Sequence, residues 1–313
     1  MLLGRTANGL FWMHRYIERA ESTARLIDAG MHVALTGGTA ANDTWGSVLQ
    51  SAGTATAHAQ RYDEVTGANT IDFMLRDKDN PSSVLSVIDN ARNNGRMVRT
   101  ALTREVWENL NDAWMKMKDT FARPVTEKKL PEVLSMIKRE TALIRGAFEG
   151  TMLRDERFNF ARIGTYLERA DNTARILDVK YYVLLPAANW VGTSLDNMQW
   201  ETILRSVSAH RSYRWVYEAQ SSATNIADFL ILNRRMPRSL AYCMGMTTLN
   251  LRDLERDYGT RHGCHETAEQ LDRQLYETAV GGIFDRGLHE FLQEFMADAN
   301  RLSTEIADSY RFY

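Results

Sequence analysis

Proline is scarce in this chain, five among 313 residues, and cysteine scarcer still, with two. Because proline breaks helix interiors by removing a backbone donor, so small a number leaves room for long uninterrupted helices. Cys243 and Cys264 cannot build the disulfide framework of a small secreted fold and read as reduced thiols. Alternating Val/Ile/Thr runs are almost missing, so no sheet is expected. No apolar run approaches the roughly 20 residues that cross a bilayer. The start, Met1-Leu2-Leu3-Gly4-Arg5, lacks the basic region and apolar block of a secretory leader. The expected location is the cytoplasm, with no membrane association. Neither charge is in excess: 38 Lys and Arg are intermixed with 40 Asp and Glu, which gives nucleic acid no basic patch to meet. The phosphate-cradling glycine turns and the nucleophile elbow of hydrolases are also missing. No cofactor and no metal are expected.

What the chain does have is a repeat. The stretch Tyr16-Ile17-Glu18-Arg19-Ala20-Glu21-Ser22-Thr23-Ala24-Arg25-Leu26-Ile27-Asp28 returns, 150 residues on, as Tyr166-Leu167-Glu168-Arg169-Ala170-Asp171-Asn172-Thr173-Ala174-Arg175-Ile176-Leu177-Asp178. Apolar residues recur three and four apart in both copies, at Leu10, Met13, Ile17, Ala20, Ala24 and Ile27 and at Phe160, Ile163, Leu167, Ala170, Ala174 and Leu177. That is the helix period. The small alanines in mid-seam predict that the two helices pack closely on each other. Looser matches follow: Trp45, Leu49 and Ser51 with Trp200, Leu204 and Ser206, then Asp72, Phe73, Pro81 and Ser83 with Asp228, Phe229, Pro237 and Ser239. The expected fold is therefore all-α, a duplicated helical bundle whose pseudo-equivalent halves cover 1–150 and 151–313.

Local signals place the breaks. Asp43 or Thr44 is expected to cap a helix after Gly37-Gly38, and Pro81 and Pro237 to occupy first helical turns. A helix from Pro81 to about Met117 would kink at Asn93-Asn94-Gly95. Further ends are expected at Ala122–Val125, at Phe148–Thr151, near Leu185-Pro186, from Gly259 to Gly263 and at Gly281-Gly282.

The candidate chemistry sits on the repeat. Adjacent residues diverge by about 100° on a helix, so Glu18 and Arg19 cannot pair with each other and are expected to stitch their helix in two directions. The same holds for Glu168 and Arg169. One reading makes these four residues, with Glu21, Arg25, Asp28, Asp171, Arg175 and Asp178, a set of buried interhelical ion pairs. The other makes Glu18, Arg19, Glu168 and Arg169 catalytic candidates and the remaining six ligand-binding, with the two glutamates approaching to form an acidic pocket for Mg²⁺ or an amine. The Glu-x-x-His pairs of di-iron bundles are missing. Arg261-His262-Gly263-Cys264-His265-Glu266 has no second Cys/His pair and reads as a helix-start cluster rather than a zinc site. His14, four residues before Glu18, reads as a lone histidine. Trp107, Trp114, Met115 and Met117 fit either the core or a partner-binding face.

The two motif copies, with Met1–Trp12, Asp72-Phe73, Arg104–Glu108 and Pro237–Leu240, make the chain resemble the alpha-E family of bacteria over essentially its full length. That resemblance implies an all-helical protein accompanying circularly permuted ATP-grasp ligases, transglutaminase-like proteins and a proteasome-related peptidase in peptide synthesis or modification. The expectation is an accessory protein whose partner is an ATP-grasp-type ligase, with a transglutaminase-like protein or a second copy of the chain as further candidates. The alternative is an enzyme of the same pathway, with a glutamate as general base and an arginine clamping a carboxylate.

Overall fold

The computed structural model describes residues 2–35, 41–184, 194–218 and 222–313, and no strand occurs among them. The helices in chain order are α1 (Gly4–Leu35), α2 (Ala41–Ser51), α3 (Ala55–Ala59), α4 (Gly67–Leu75), α5 (Val84–Met97), α6 (Arg104–Thr120), α7 (Leu130–Thr151) and α8 (Glu156–Leu184). They continue as α9 (Ser194–Ser206), α10 (His210–Tyr217), α11 (Ala223–Ile231), α12 (Leu240–Tyr258), α13 (Gly263–Glu277), α14 (Val280–Arg286) and α15 (Leu288–Ser309). No helix among the described residues is long and apolar enough to cross a membrane.

Hydroxyl side chains set the helix starts. Thr66 and Ser222 accept from backbone N–H groups three residues on and open α4 and α11, while Ser83 and Ser239 do the same for α5 and α12. Pro81 and Pro237 therefore lie in the turns before these caps, not in first helical turns. Asp43 and Thr44 fall inside α2, whose preceding Gly37-Gly38 lies outside the described residues, as does the Leu185-Pro186 end of α8. α5 runs on through Asn93-Asn94-Gly95, where a kink was expected, to Met97. The chain breaks later, through a 3₁₀ turn at Arg99–Ala101 and extended Leu102, and Thr103 caps α6. Gly95 stays helical because α6 packs against it: a Cβ would come within 2.7 Å of Leu110 Cδ2. Gly281 and Gly282 likewise sit within α14, with breaks on either side of it, at Thr278-Ala279 and at Gly287, where φ is +105°. Gly259 ends α12 in the left-handed conformation, as a helix-stop glycine should.

One continuous apolar core holds the described helices together. α1 and α8 are its central pair, with α5, α7 and α2 also against α1 and α12, α15 and α2 against α8. Ala20, Ala24, Ala170 and Ala174 are completely buried. The approach is closest at Gly164, where a Cβ would stand 2.3 Å from the Phe11 carbonyl oxygen. Contacts climb both helices together, from Phe11 on Gly164 through His14 on Thr165 to Glu18 on Arg169, so α1 and α8 run parallel where they touch. Parallel helices cannot be joined by a short turn, and α2 to α7 make the crossover.

Candidate functional site

At the crossing the two Glu-Arg pairs exchange partners. Arg169 donates from Nε and Nη2 to the two oxygens of Glu18, both at 2.9 Å. Arg19 donates in the same way to Glu168, at 2.6 and 3.0 Å. Both residues of each pair thus engage the same opposing helix, and of the four only Glu18 also stitches α1 to other helices through its carboxylate. Bidentate guanidinium–carboxylate geometry of this kind is strong and directional, and Glu18 and Glu168 are each only 1% exposed.

Around Glu18 the network extends to helices far apart in sequence. Arg238, in the turn before α12, donates to Glu18 Oε1 at 2.9 Å and to Glu21 Oε1. Arg145 on α7 reaches Glu21 and, at 3.5 Å, Glu18. Arg25 donates to Glu21 from Nε and Nη2, while its Nη1 reaches the Ser206 carbonyl at 2.7 Å and Ser208 Oγ at 2.9 Å. Thr141 closes the last side of Glu21. Burial alone would raise the Glu18 carboxyl, but Arg169, Arg238 and Arg145 hold it well below the ordinary range. Glu21 sits at about 2, since burial and nearby Glu18 are outweighed by Arg238, Arg145 and Arg25. Burial among other cations lowers Arg238 to about 10, which still leaves it charged near neutrality.

The Glu168 side is built differently. Arg15 donates to Glu168 Oε2 at 2.8 Å and to Ser303 at 2.8 Å, and with Arg19 it overcomes burial to hold Glu168 at about 2. Arg175 pairs with Asp171 at 2.7 Å and donates to the Ser51 carbonyl at 3.1 Å. That last bond mirrors Arg25 on Ser206, across the Ser51/Ser206 match. Yet among the described residues no arginine bridges Glu168 and Asp171 as Arg238 bridges Glu18 and Glu21. The position matching Arg238 is Ser82, and the one matching Ser208 is Gly53. Both backbones there are left-handed, φ +57° at Ser208 and +69° at Gly53, so the loops correspond while one side chain is lost. A cavity of about 260 Å³ opens in that place, walled by Arg19, Ser22, Asn172, Arg175, Glu168 and Asp171 with Gly53 and Ser82 at its side.

Of the residues singled out from sequence, Arg19, Glu168, Asp171 and Arg175 face this cavity, and Glu18, Arg169, Glu21 and Arg25 form the filled network beside it. Asp28 and Asp178 belong to neither: Asp28 meets Lys138 at 2.9 Å, and Asp178 meets His289 at 2.6 Å and Gln293 at 2.9 Å. Arg15, Arg145 and Arg238 are also among the arginines on these carboxylates, yet no sequence signal in the repeat marked them. Only the Ser82/Arg238 mismatch inside an otherwise matched Pro-x-Ser segment pointed there. Among the described residues no group of three His, Cys, Asp or Glu side chains stands ready for a metal. His262 and His265 cap α13. His14 is a core histidine set edge-on to Phe148, its pKa lowered to about 3 by burial and by Arg162 and Arg145. Met117 is fully buried, and Trp114 lies between Arg92 and Lys118, so this stretch offers no continuous apolar face.

These observations define an all-helical protein centred on two Glu-Arg motifs that grip one another. The chain belongs to the Alpha-E family, described as a predicted alpha-helical domain with a conserved ER motif, whose model matches residues 2–310. It is similar to uncharacterised proteins of Mycobacterium bovis and Mycobacterium tuberculosis, 22% identical over 97% of this chain. The match takes in 36% of each relative, so the chain spans roughly a third of their length. No solved structure matches it.

Proposed function

We propose that this chain is a non-catalytic accessory protein of a cytoplasmic peptide-synthesis or peptide-modification system, acting beside an ATP-grasp-type ligase. The observation that carries the reading is the state of the motif carboxylates. Glu18 and Glu168 are each gripped by guanidinium donors and held ionised far below the usual carboxylate range. A base that weak accepts protons poorly near neutrality, where general catalysis favours a pKa close to the working pH. The buried thiol of Cys243, pushed up to about 12 by burial, is no better as a nucleophile. The motif then serves as an internal clamp that fixes α1 on α8, in a bundle of two pseudo-equivalent halves, 1–150 and 151–313. Matched ring clusters support that duplication: His58 and Tyr62 set edge-on against Phe73, as Tyr213 and Tyr217 are against Phe229. The length of the relatives is also in keeping with a unit that works beside other polypeptide. Two free, buried cysteines suit a reducing compartment.

The test is co-expression with a candidate ATP-grasp-type ligase, followed by tandem purification and an ATP-turnover assay of each protein alone and together. The expected result is a stable complex, no turnover by this chain alone, and ligase turnover that depends on the pair. ATP hydrolysis or peptide ligation by the isolated chain would overturn the proposal.

A further inference from the structure

We infer that the cavity between Arg19, Ser22, Asn172 and Arg175 is a binding site for a small zwitterion of the α-amino-acid type. The filled network supplies the template. There, Arg238 sets a cation against Glu18 and Glu21, and the side chain of Ser208 helps to fill the space. Here Ser82 and Gly53 leave that volume empty, while Glu168 and Asp171 keep the places of Glu18 and Glu21. Glu168 Oε1 accepts one hydrogen bond, from Arg19, where the corresponding Glu18 Oε1 accepts from both Arg169 and Arg238. A carboxylate oxygen has room for two donors, so an ammonium group fits where Arg238 would otherwise reach.

The opposite pole is set by unused donors. Arg19 spends Nε and Nη2 on Glu168, and its Nη1 makes no hydrogen bond. Ser22 is only 4% exposed and its Oγ has no partner, and Asn172 Nδ2, also shielded, has none. Buried polar groups are normally paired, and the two orphans Ser22 Oγ and Asn172 Nδ2, beside the spare Nη1 of the partly exposed Arg19, call for an acceptor-rich group such as a carboxylate. Arg15, Arg19 and Arg175 face two carboxylates, Glu168 and Asp171, which leaves the local balance one positive charge in favour of the incoming anion. Leu26, Met74 and Ile176 complete the wall and give a side chain an apolar surface. The cavity carries this inference whether or not a ligase partners the chain.

The experiment is calorimetric titration of the full chain with each of the twenty α-amino acids, then with the N-acetyl and amide forms of the best binder, and with inorganic phosphate and guanidinium chloride as single-charge probes. Saturable 1:1 binding of at least one free amino acid is expected, weakened tenfold or more by blocking either terminus. Ser82→Arg rebuilds the counterpart of Arg238 and is expected to abolish binding while preserving the helical spectrum and the melting temperature. Asn172→Ala leaves the cavity open and is expected to weaken binding about tenfold. The proposal falls if no amino acid binds, if the blocked forms or either single-charge probe bind as well as the free one, or if Ser82→Arg and Asn172→Ala both bind like wild type.

Discussion

Replacing Glu18 with alanine takes away a carboxylate on which three guanidiniums converge. Arg238 and Arg145 retain Glu21, but Arg169 is left with a 3.4 Å contact to the Pro237 carbonyl. Removing one partner of a buried ion pair costs about 3–5 kcal/mol, because the remaining charge has lost its compensation without regaining water. The Arg169 side chain is 12% exposed, so partial escape toward solvent places the expected loss near the lower end. Heat unfolding releases about 2.1 cal/mol/K per residue, about 0.66 kcal/mol/K for 313 residues. A loss of about 3–5 kcal/mol then lowers the melting midpoint by about 5–8 °C. Circular dichroism melts at pH 7 measure this directly. The control is Glu108→Ala, which breaks an exposed pair with Arg104 and should cost under about 0.5 kcal/mol. Adding Arg169→Ala to Glu18→Ala removes the stranded charge, so the double variant should lose less than the two single losses combined. A Glu18→Ala protein that melts within a degree of wild type would refute the clamp.

Acid should destabilise the protein in two stages. His14 sits at about 3 in the fold and near about 6.5 when unfolded, so its contribution is complete above pH 6.5 and is lost as pH falls below it. Glu21 and Glu168, at about 2 in the fold, contribute fully above about 4.3 and lose that contribution as pH falls toward 2. The midpoint should thus begin to drop below pH 6.5 and fall more steeply below about 4.3. His14→Phe keeps a ring against Phe148 and should flatten the first stage, leaving the slope of His58 and His262, whose pKa values burial also lowers; an unchanged slope in that window would count against this account. Two glycines should respond with opposite signs to alanine. Gly146→Ala, with nothing within 4 Å of the new methyl, should gain up to about 1 kcal/mol from helix propensity, whereas Gly164→Ala meets the Phe11 carbonyl at 2.3 Å and should lower the melting temperature. Equal shifts of the two would show that α1 and α8 are not in backbone contact.

The helical class and the central pairing of α1 with α8 were legible because they rest on short-range signals, the three-and-four spacing and the small residues of the seam. That the motif charges form a paired network also followed from their return in register. Which charge meets which did not. The exchange of Glu18 with Arg169 and Glu168 with Arg19 depends on two parallel helices meeting at the same level, and sequence spacing carries no interhelical register. Helix starts were misplaced where a serine or threonine two residues beyond a proline, or beyond an unmarked turn such as Val98–Leu102, decides the cap. Gly95 misled because a glycine needed for close packing and one that bends a helix look alike in sequence.

The difference between the two sides of the crossing bears on what the protein is for. A helix pair selected only to hold together would gain by closing both sides, since an arginine at position 82 could bridge Glu168 and Asp171 as Arg238 bridges Glu18 and Glu21. On one side the guanidiniums and Thr141 occupy the carboxylate oxygens, and Ser208 accepts from Arg25. On the other, a serine and a glycine stand in matched positions, and the hydrogen-bonding capacity of Arg19, Ser22 and Asn172 is left over. Unsatisfied buried donors such as Ser22 Oγ and Asn172 Nδ2 cost about 1–3 kcal/mol each, a cost that a bound ligand would offset. The filled side is therefore best regarded as the anchor of the fold, and the open side as the part of the same framework free to meet a ligand.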